Sequence, residues 1–394
     1  MNVASPAESH TIPTALNTAS RIQSLDVLRG VIMVLMAIDH VRVYSGVPPG
    51  GPDAGVFFTR WITHYCAPGF AFFAGTSAFL YGRKLNDTRK LASYLLTRGL
   101  LLIALELTVI RLFWTFNLAL HEFILAGVIW MLGWCMIFLA MMVALRPKVI
   151  AAIGLGIVAL QQLFAFLPGL IPDGSRASFG RIWEFVYPSG FETFNGISVL
   201  YSLVPWVGVM AAGYGFGAVL AMSPGRRNKI CLWIGAIAIA LFAIGATIQA
   251  LNNTGENAPP FIFRLLNQAK YPASQLFLLM TLGPLILLVP FAERTSGWLS
   301  KVLMIFGRVP FFYYLAHILL IHVSALAVHL MLEGRMHHEW YTYAPYAQVP
   351  PESRWSLGLL YLVFVVDVSL LFFICRWYAK YKQEHPEKKW LAFL

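Results

Sequence analysis

The stretch SLDVLRGVIMVLMAIDHVR, Ser24 to Arg42, decides the fold. Its middle is apolar, and its ionisable groups sit at the ends: Asp26 and Arg29 at one, Asp39, His40 and Arg42 at the other. Ser24 is the expected N-cap, and Asp26 suits the positive end of a helix dipole. From Arg29 to His40 is close to three turns, or about 16 Å along one face. Asp26, Arg29, Met33, Met36 and His40 therefore make one stripe, ionisable at its ends and thioether-lined between. Two readings follow. In the first, Arg29 and Arg42 anchor a membrane helix at the two interfaces and Asp39 and His40 cap its end. Alternatively, the stripe is a site that spans most of a bilayer.

Working outward, the whole chain is 58% hydrophobic and only 12% charged. A soluble protein of this length carries more charge, so the expectation is an all-α, polytopic membrane helix bundle. The net charge of +11 is not read as nucleic-acid affinity, because Lys and Arg collect in cytoplasmic loops of membrane proteins. Cys66, Cys135, Cys231 and Cys375 lie in or beside apolar runs and read as core residues. No metal-ligand spacing is present, so no metal site is expected. Residues 1–23 are polar, without a basic segment leading into an apolar one, and no cleaved signal peptide is expected.

About ten apolar segments are long enough to span, at roughly 25–45, 57–82, 93–115, 123–145, 149–168, 198–222, 229–250, 272–292, 308–331 and 356–379. The positive charges lie mostly on one side of such a topology, in short loops such as SPGRRNK and in the tail 381–394. That bias puts both termini in the cytoplasm. Outer loops are longer and aromatic, with Trp183, Phe185 and Tyr187 in one and Trp340, Tyr341, Tyr346 and Trp355 in another. They are either an interfacial belt or flat surfaces for a ligand.

Ionisable groups inside a bilayer are costly and need a partner or a task. His40 ends the first helix and His64 begins the second, at similar depth, so the two imidazoles converge on paper. Each could take a proton near neutral pH, or both merely hydrogen-bond between helices. Asp39 is placed to orient His40 or to pair with Arg42 or Arg60. Glu106 and Arg111 lie deep in the third span and face apart, so each should pair with another helix, Asp367 being one such partner. His317 falls near mid-membrane, as an interhelical hydrogen bonder or as a pore-lining group. There is no P-loop, dinucleotide fingerprint, HExxH or GxSxG.

The opening helix, SLDVLRG followed by an apolar run ending in DH, resembles the first helix of the heparan-α-glucosaminide N-acetyltransferase catalytic-domain family, in particular its bacterial members. The spacing from Arg29 to His40 is also similar to that of the related acyltransferase-3 proteins. The blocks THYCAPGFAFFAGTSAFL (63–80), VPWVGVMAAGYGFG (204–217) and FGRVPFFYYLAHILLIH (306–322) agree in order. The resemblance implies an acyltransferase-like domain over 24–380 in the bacterial inner membrane, between the cytoplasmic tails 1–23 and 381–394. It implies transfer of an acetyl group from cytosolic acetyl-CoA to a hydroxyl or amine of an extracytoplasmic glycan or glycolipid. On that footing His40, then His64, with Asp39, are the catalytic candidates. Arg29, Asp26, Met33, Met36 and His317 are the donor-binding ones. No redox cofactor is expected, and an oligomer is compatible with the sequence. The lysosomal member carries its active histidine in a segment before the second helix that this chain does not match, so both histidines stay in play. The outer loops show no basic run for a sulfated polymer. The competing reading is a secondary transporter of small solutes.

Overall fold

The computed structural model describes residues 22–119, 122–187, 193–194, 197–253, 255 and 258–392. The N-terminal tail, up to residue 21, lies outside the described residues. In chain order the helices are α1 (Gln23–Tyr44), α2 (Ala54–Trp61), α3 (Cys66–Leu85), α4 (Thr88–Leu105) and α5 (Arg111–Thr115). There follow α6 (Val128–Met142), α7 (Pro147–Leu160), α8 (Asp173–Val186), α9 (Leu203–Leu220) and α10 (Pro224–Asn252). The last group is α11 (Phe261–Leu266), α12 (Gln275–Leu287), α13 (Val289–Arg294), α14 (Trp298–Arg308), α15 (Pro310–Glu333) and α16 (Leu357–Glu384). The expected helical bundle is present, with one small addition. Strands β1 (Ile124–Ala126), β2 (Thr193–Phe194) and β3 (Ile197–Val199) form a sheet in the order β1-β3-β2, with β1 and β3 parallel.

Among the described residues, six helices are long and apolar enough to cross a membrane: Pro147–Leu170, Leu203–Leu220, Pro224–Asn252, Gln275–Arg294, Pro310–Glu333 and Leu357–Glu384. The first four segments anticipated from the sequence are not among them. Helices α1 and α4 carry several charges, α3 is diluted by Gly, Pro, Ser and Thr, and α6 is only 15 residues long. Of these, α1 is mostly buried, whereas α4 buries only Leu91, Leu95, Gly99 and Leu102 and leaves Leu96 and Leu100 exposed. Only 17% of the α10 window and 22% of the α16 window is buried, and both helices turn rows of Leu, Ile, Val, Phe and Trp outward. An all-round apolar helix with an uncovered side suits lipid.

α1 is the hub. It packs against α3, α13, α14, α15 and α16. Near its N-terminal end a methyl at Gly30 would overlap the Leu303 carbonyl, and one at Gly307 would overlap the Asp26 carbonyl, so α1 and α14 meet backbone to backbone. At its C-terminal end Tyr44 donates to the Trp114 carbonyl at 2.6 Å, and Tyr341 donates to the Tyr44 carbonyl at 3.0 Å. The helix begins two residues earlier than expected. Its N-cap is Ile22, Ser24 is buried inside the first turn, and Gln23 ties the start to the Thr295 carbonyl at 2.8 Å.

Helices α4 and α5 run on through a wide π-type turn at Glu106–Ile110. Glu106 and Arg111 do not take Asp367 as a partner. Arg111 donates to the carbonyls of Phe123 and Ala119 at 2.6 and 2.7 Å, and to that of Asn117, so one guanidinium closes the 116–123 loop. Asp367 instead accepts from Ser324 at 2.7 Å. Glu106 is aimed at the backbone N–H groups of Gly127, Ile129 and Trp130, where α6 begins, which is the favourable place for a carboxylate. All four cysteines are buried and free.

Candidate active site

The stripe on α1 opens into a cavity at each end. The one at the Arg29 end, here called inner as the one at the His40 end is called outer, has about 280 Å³ and is lined by Arg29, Met33, Ser77, Tyr94, Arg98 and Tyr314, with Phe70, Phe73 and Met136 supplying apolar wall. Arg29 is held in place there by the Phe73 carbonyl at 3.2 Å and by the Ser77 hydroxyl. Behind it, Asp26 is 3% exposed and sits 3.9 Å from Arg29 and 4.0 Å from Arg308. Arg98 donates to the Tyr94 hydroxyl at 2.9 Å. The result is an apolar slot with two guanidinium groups on its wall. Of the expected donor-binding residues, Arg29 and Met33 line this slot. Asp26 stands behind Arg29, and Met36 is packed into the core.

The outer cavity, of about 550 Å³, is more polar. His40 and Asp39 reach it from α1, Glu106 and Trp114 from the α4–α5 run, and Tyr314 from α15. Arg42, Arg60, Lys270 and Arg354 add positive charge, and Tyr201 and Tyr346 add aromatic wall. The aromatic loop between α15 and α16 thus contributes directly to the site: Tyr346 lines it and shares a hydrogen bond with Ser198 at 3.1 Å. Asp39 is taken by Arg42, whose Nε and Nη2 lie 3.0 and 2.9 Å from one carboxylate oxygen. Of the alternatives open to Asp39, pairing with Arg42 is the one realised. Lys270 stands in the loop before α12. Burial pushes its pKa down, but the neighbouring Tyr271 and Asp39 outweigh that, and its ammonium is held above the ordinary lysine range.

The partner of His40 is His317, not His64. His40 Nδ1 lies 2.6 Å from His317 Nε2, with the rings near-parallel at 18°. His317 is fully buried, and its Nδ1 lies 3.0 Å from the Tyr313 carbonyl. A carbonyl can only accept, so Nδ1 of His317 carries the proton and Nε2 is the acceptor. With both rings neutral, His40 Nδ1 then donates to His317, and His40 Nε2 is left with its lone pair. That nitrogen is the basic atom of the pair. Trp114 packs edge-on to His40 at 4.7 Å and Tyr314 at 6.3 Å, which limits the ring's rotation. His64 is placed apart, packed edge-on to Phe277 at 5.4 Å and lining a different cavity.

Tyr314 was not singled out by sequence reasoning as a site residue, yet it lines both cavities. Its signal was available: it precedes His317 by three residues and so shares that helix face. Trp114 and Lys270 were missed because nothing local marks them.

A helical bundle with apolar helices uncovered on their outer sides, a paired histidine near the end of its central helix and a cavity at each end of that helix's polar stripe has the form of a membrane protein with an internal site. The family model for heparan-alpha-glucosaminide N-acetyltransferase, catalytic, matches residues 21–250, more than half of the chain, and the chain belongs to that family. It is an integral membrane protein of the acetyltransferase class. No curated protein matches it significantly. The permease alternative is not supported by this membership. The match ends before α12, so His317 and Tyr314 enter the site through the fold alone.

Proposed function

We propose that the protein transfers an acetyl group from cytosolic acetyl-CoA to a hydroxyl or amine of an extracytoplasmic glycan or glycolipid. The observation that carries this reading is the pair of cavities at the two ends of the α1 stripe, with the Tyr314 side chain lining both. The apolar slot fits a pantetheine arm, and Arg29 and Arg98 fit the phosphates of CoA through charge-assisted hydrogen bonds. The polar outer chamber fits a saccharide. The family membership supports the transferase activity, and the basic inner loops support a donor that arrives from the cytosol. On this reading about ten helices cross the bacterial inner membrane and both termini are cytoplasmic.

In the step we propose, His40 Nε2 takes the proton of the acceptor O–H or N–H. The acceptor oxygen or nitrogen attacks the thioester carbonyl, the C–S bond breaks, and the CoA thiolate recovers the proton from His40. Nε2 is equally the atom that would carry the acetyl group if transfer is covalent. His317 fixes the tautomer in either route, and Asp39 keeps Arg42 in place at the chamber wall.

The test is binding and slow hydrolysis of acetyl-CoA by the purified protein in detergent, wild type beside His40→Ala. CoA-dependent thermal stabilisation in both, with hydrolysis lost only in the variant, is the expected result. Absence of binding at millimolar acetyl-CoA, or undiminished transfer by His40→Ala, would overturn the assignment.

A further inference from the structure

A third cavity, of about 450 Å³, lies beside the His40 chamber at the outer ends of α2, α10 and α11. Its chemistry is one-sided. Arg60, Trp61, His64, Gln249, Arg264 and Asn267 line it, and among the described lining residues there is no carboxylate. His64 is only 3% exposed, and both of its ring nitrogens lack a partner. Trp61 Nε1 and Arg264 Nε are buried and unpartnered as well. Indole Nε1 and guanidinium Nε are donors only, and a buried donor without an acceptor is costly. Arg264 is meanwhile anchored by the carbonyls of Ala250, at 2.7 Å, and Asn253, so its position is fixed by the fold. Arg60 lines this cavity and the His40 chamber alike, so one guanidinium borders both.

We infer that this cavity is an oxyanion subsite, taking a phosphate or carboxylate group on the acceptor while the acceptor's nucleophile sits in the His40 chamber. A compact anion with several acceptor oxygens is what a wall of fixed donors and two guanidinium groups recognises. The sequence has no basic run here because the two arginines come from α2 and α11, and folding brings them to one cavity. His64 is then an anion-binding residue rather than a second base. The cavity is argued from its own donors, and only its assignment to the acceptor rests on the acyl-transfer reading.

The experiment measures binding without any acyl donor, so that it stands or falls apart from transfer. The purified full chain in neutral detergent is titrated with glucosamine 6-phosphate and with glucosamine. The phosphorylated sugar is expected to bind about tenfold more tightly or better. Arg60→Gln, Arg264→Gln and His64→Ala should each shrink that preference, while Arg60→Lys should largely restore it, which separates loss of charge from loss of folding. Equal affinities in the wild type, or a preference untouched in all three variants, would overturn the subsite. Displacement of the sugar phosphate by phosphatidylglycerol bicelles but not by inorganic phosphate would make it a lipid headgroup site and overturn its assignment to the acceptor.

Discussion

His40 Nδ1 and His317 Nε2 lie 2.6 Å apart, and that contact joins α1 to α15 across 277 residues of sequence. Because the Tyr313 carbonyl sets the proton on His317, the pair has a direction: the basic nitrogen is Nε2 of His40. Replacing His40 by Ala is expected to lower transfer by roughly 10²–10⁴-fold, the usual contribution of a positioned base. His317→Ala removes the orienting acceptor and not the base. Its effect should fall on kcat with KM for acetyl-CoA unchanged, and His317→Gln, which keeps an acceptor, should recover part of it. Steady-state kinetics of the three variants check this, and a rise in KM alone would contradict it.

Arg29 stands at the inner cavity with its guanidinium held by Phe73 and Ser77. If it binds CoA phosphate, Arg29→Gln should raise KM for acetyl-CoA by about one to two orders of magnitude and leave kcat within a few-fold. S-Acetyl-pantetheine gives the control, since a donor lacking phosphate should not distinguish the variant from the wild type.

Tyr314 lines both chambers. Tyr314→Ala removes the wall between them, which should admit water to the thioester and raise the ratio of acetyl-CoA hydrolysis to acceptor transfer. Tyr314→Phe, which keeps the ring, should leave that ratio near the wild-type value. Parallel assays for free CoA and acetylated acceptor read the ratio directly.

Gly307 meets the Asp26 backbone with no room for a methyl. Gly307→Ala must push α14 away from α1, at a cost of about 1–3 kcal/mol. A lowered melting temperature in detergent, together with a weakened acetyl-CoA response because Asp26 and Arg29 move, is expected. An unchanged melting temperature would show that the helices part without cost.

Lys270 has its pKa raised in the folded protein. A raised value means that the fold favours the charged form, so its contribution is complete below the ordinary lysine value of about 10.4 and is lost only as pH rises through the folded value. The difference in melting temperature between wild type and Lys270→Met should therefore be flat from about pH 6 to pH 9 and shrink above about pH 10.5. A difference that fades below neutral pH would reverse the sign and exclude this account.

Much of the site was legible in a single helix. The spacing of Arg29, Met33 and His40 put three lining residues on one face, and the helix does carry a cavity at each end. What the sequence could not show was the partner of each group. His64 matched His40 in depth, but depth along the normal says nothing of lateral position, and His317 arrived from a helix far down the chain. The same limit hid the positive wall of the His40 chamber, because Arg42, Arg60, Lys270 and Arg354 are scattered over the sequence and are gathered only by folding. Ser24 is not the cap because the helix already starts at Gln23, which bonds the Thr295 carbonyl in the connection between α13 and α14. Membrane character was legible in α10 and α16, whose uncovered sides are apolar, and less so in α1, whose charge is spent inward.

α1 is clamped at both ends, by its backbone contact with α14 and by the Tyr44 bonds to Trp114 and Tyr341. A rod that cannot slide is a ruler. Any thioester gripped at the Arg29 end must present its carbonyl about 16 Å further along to meet His40. On the proposed reading, the carrier is therefore gauged by length before the acyl group is met. Thioesters on truncated carriers would then fall short of the imidazole however well their acyl chains fit.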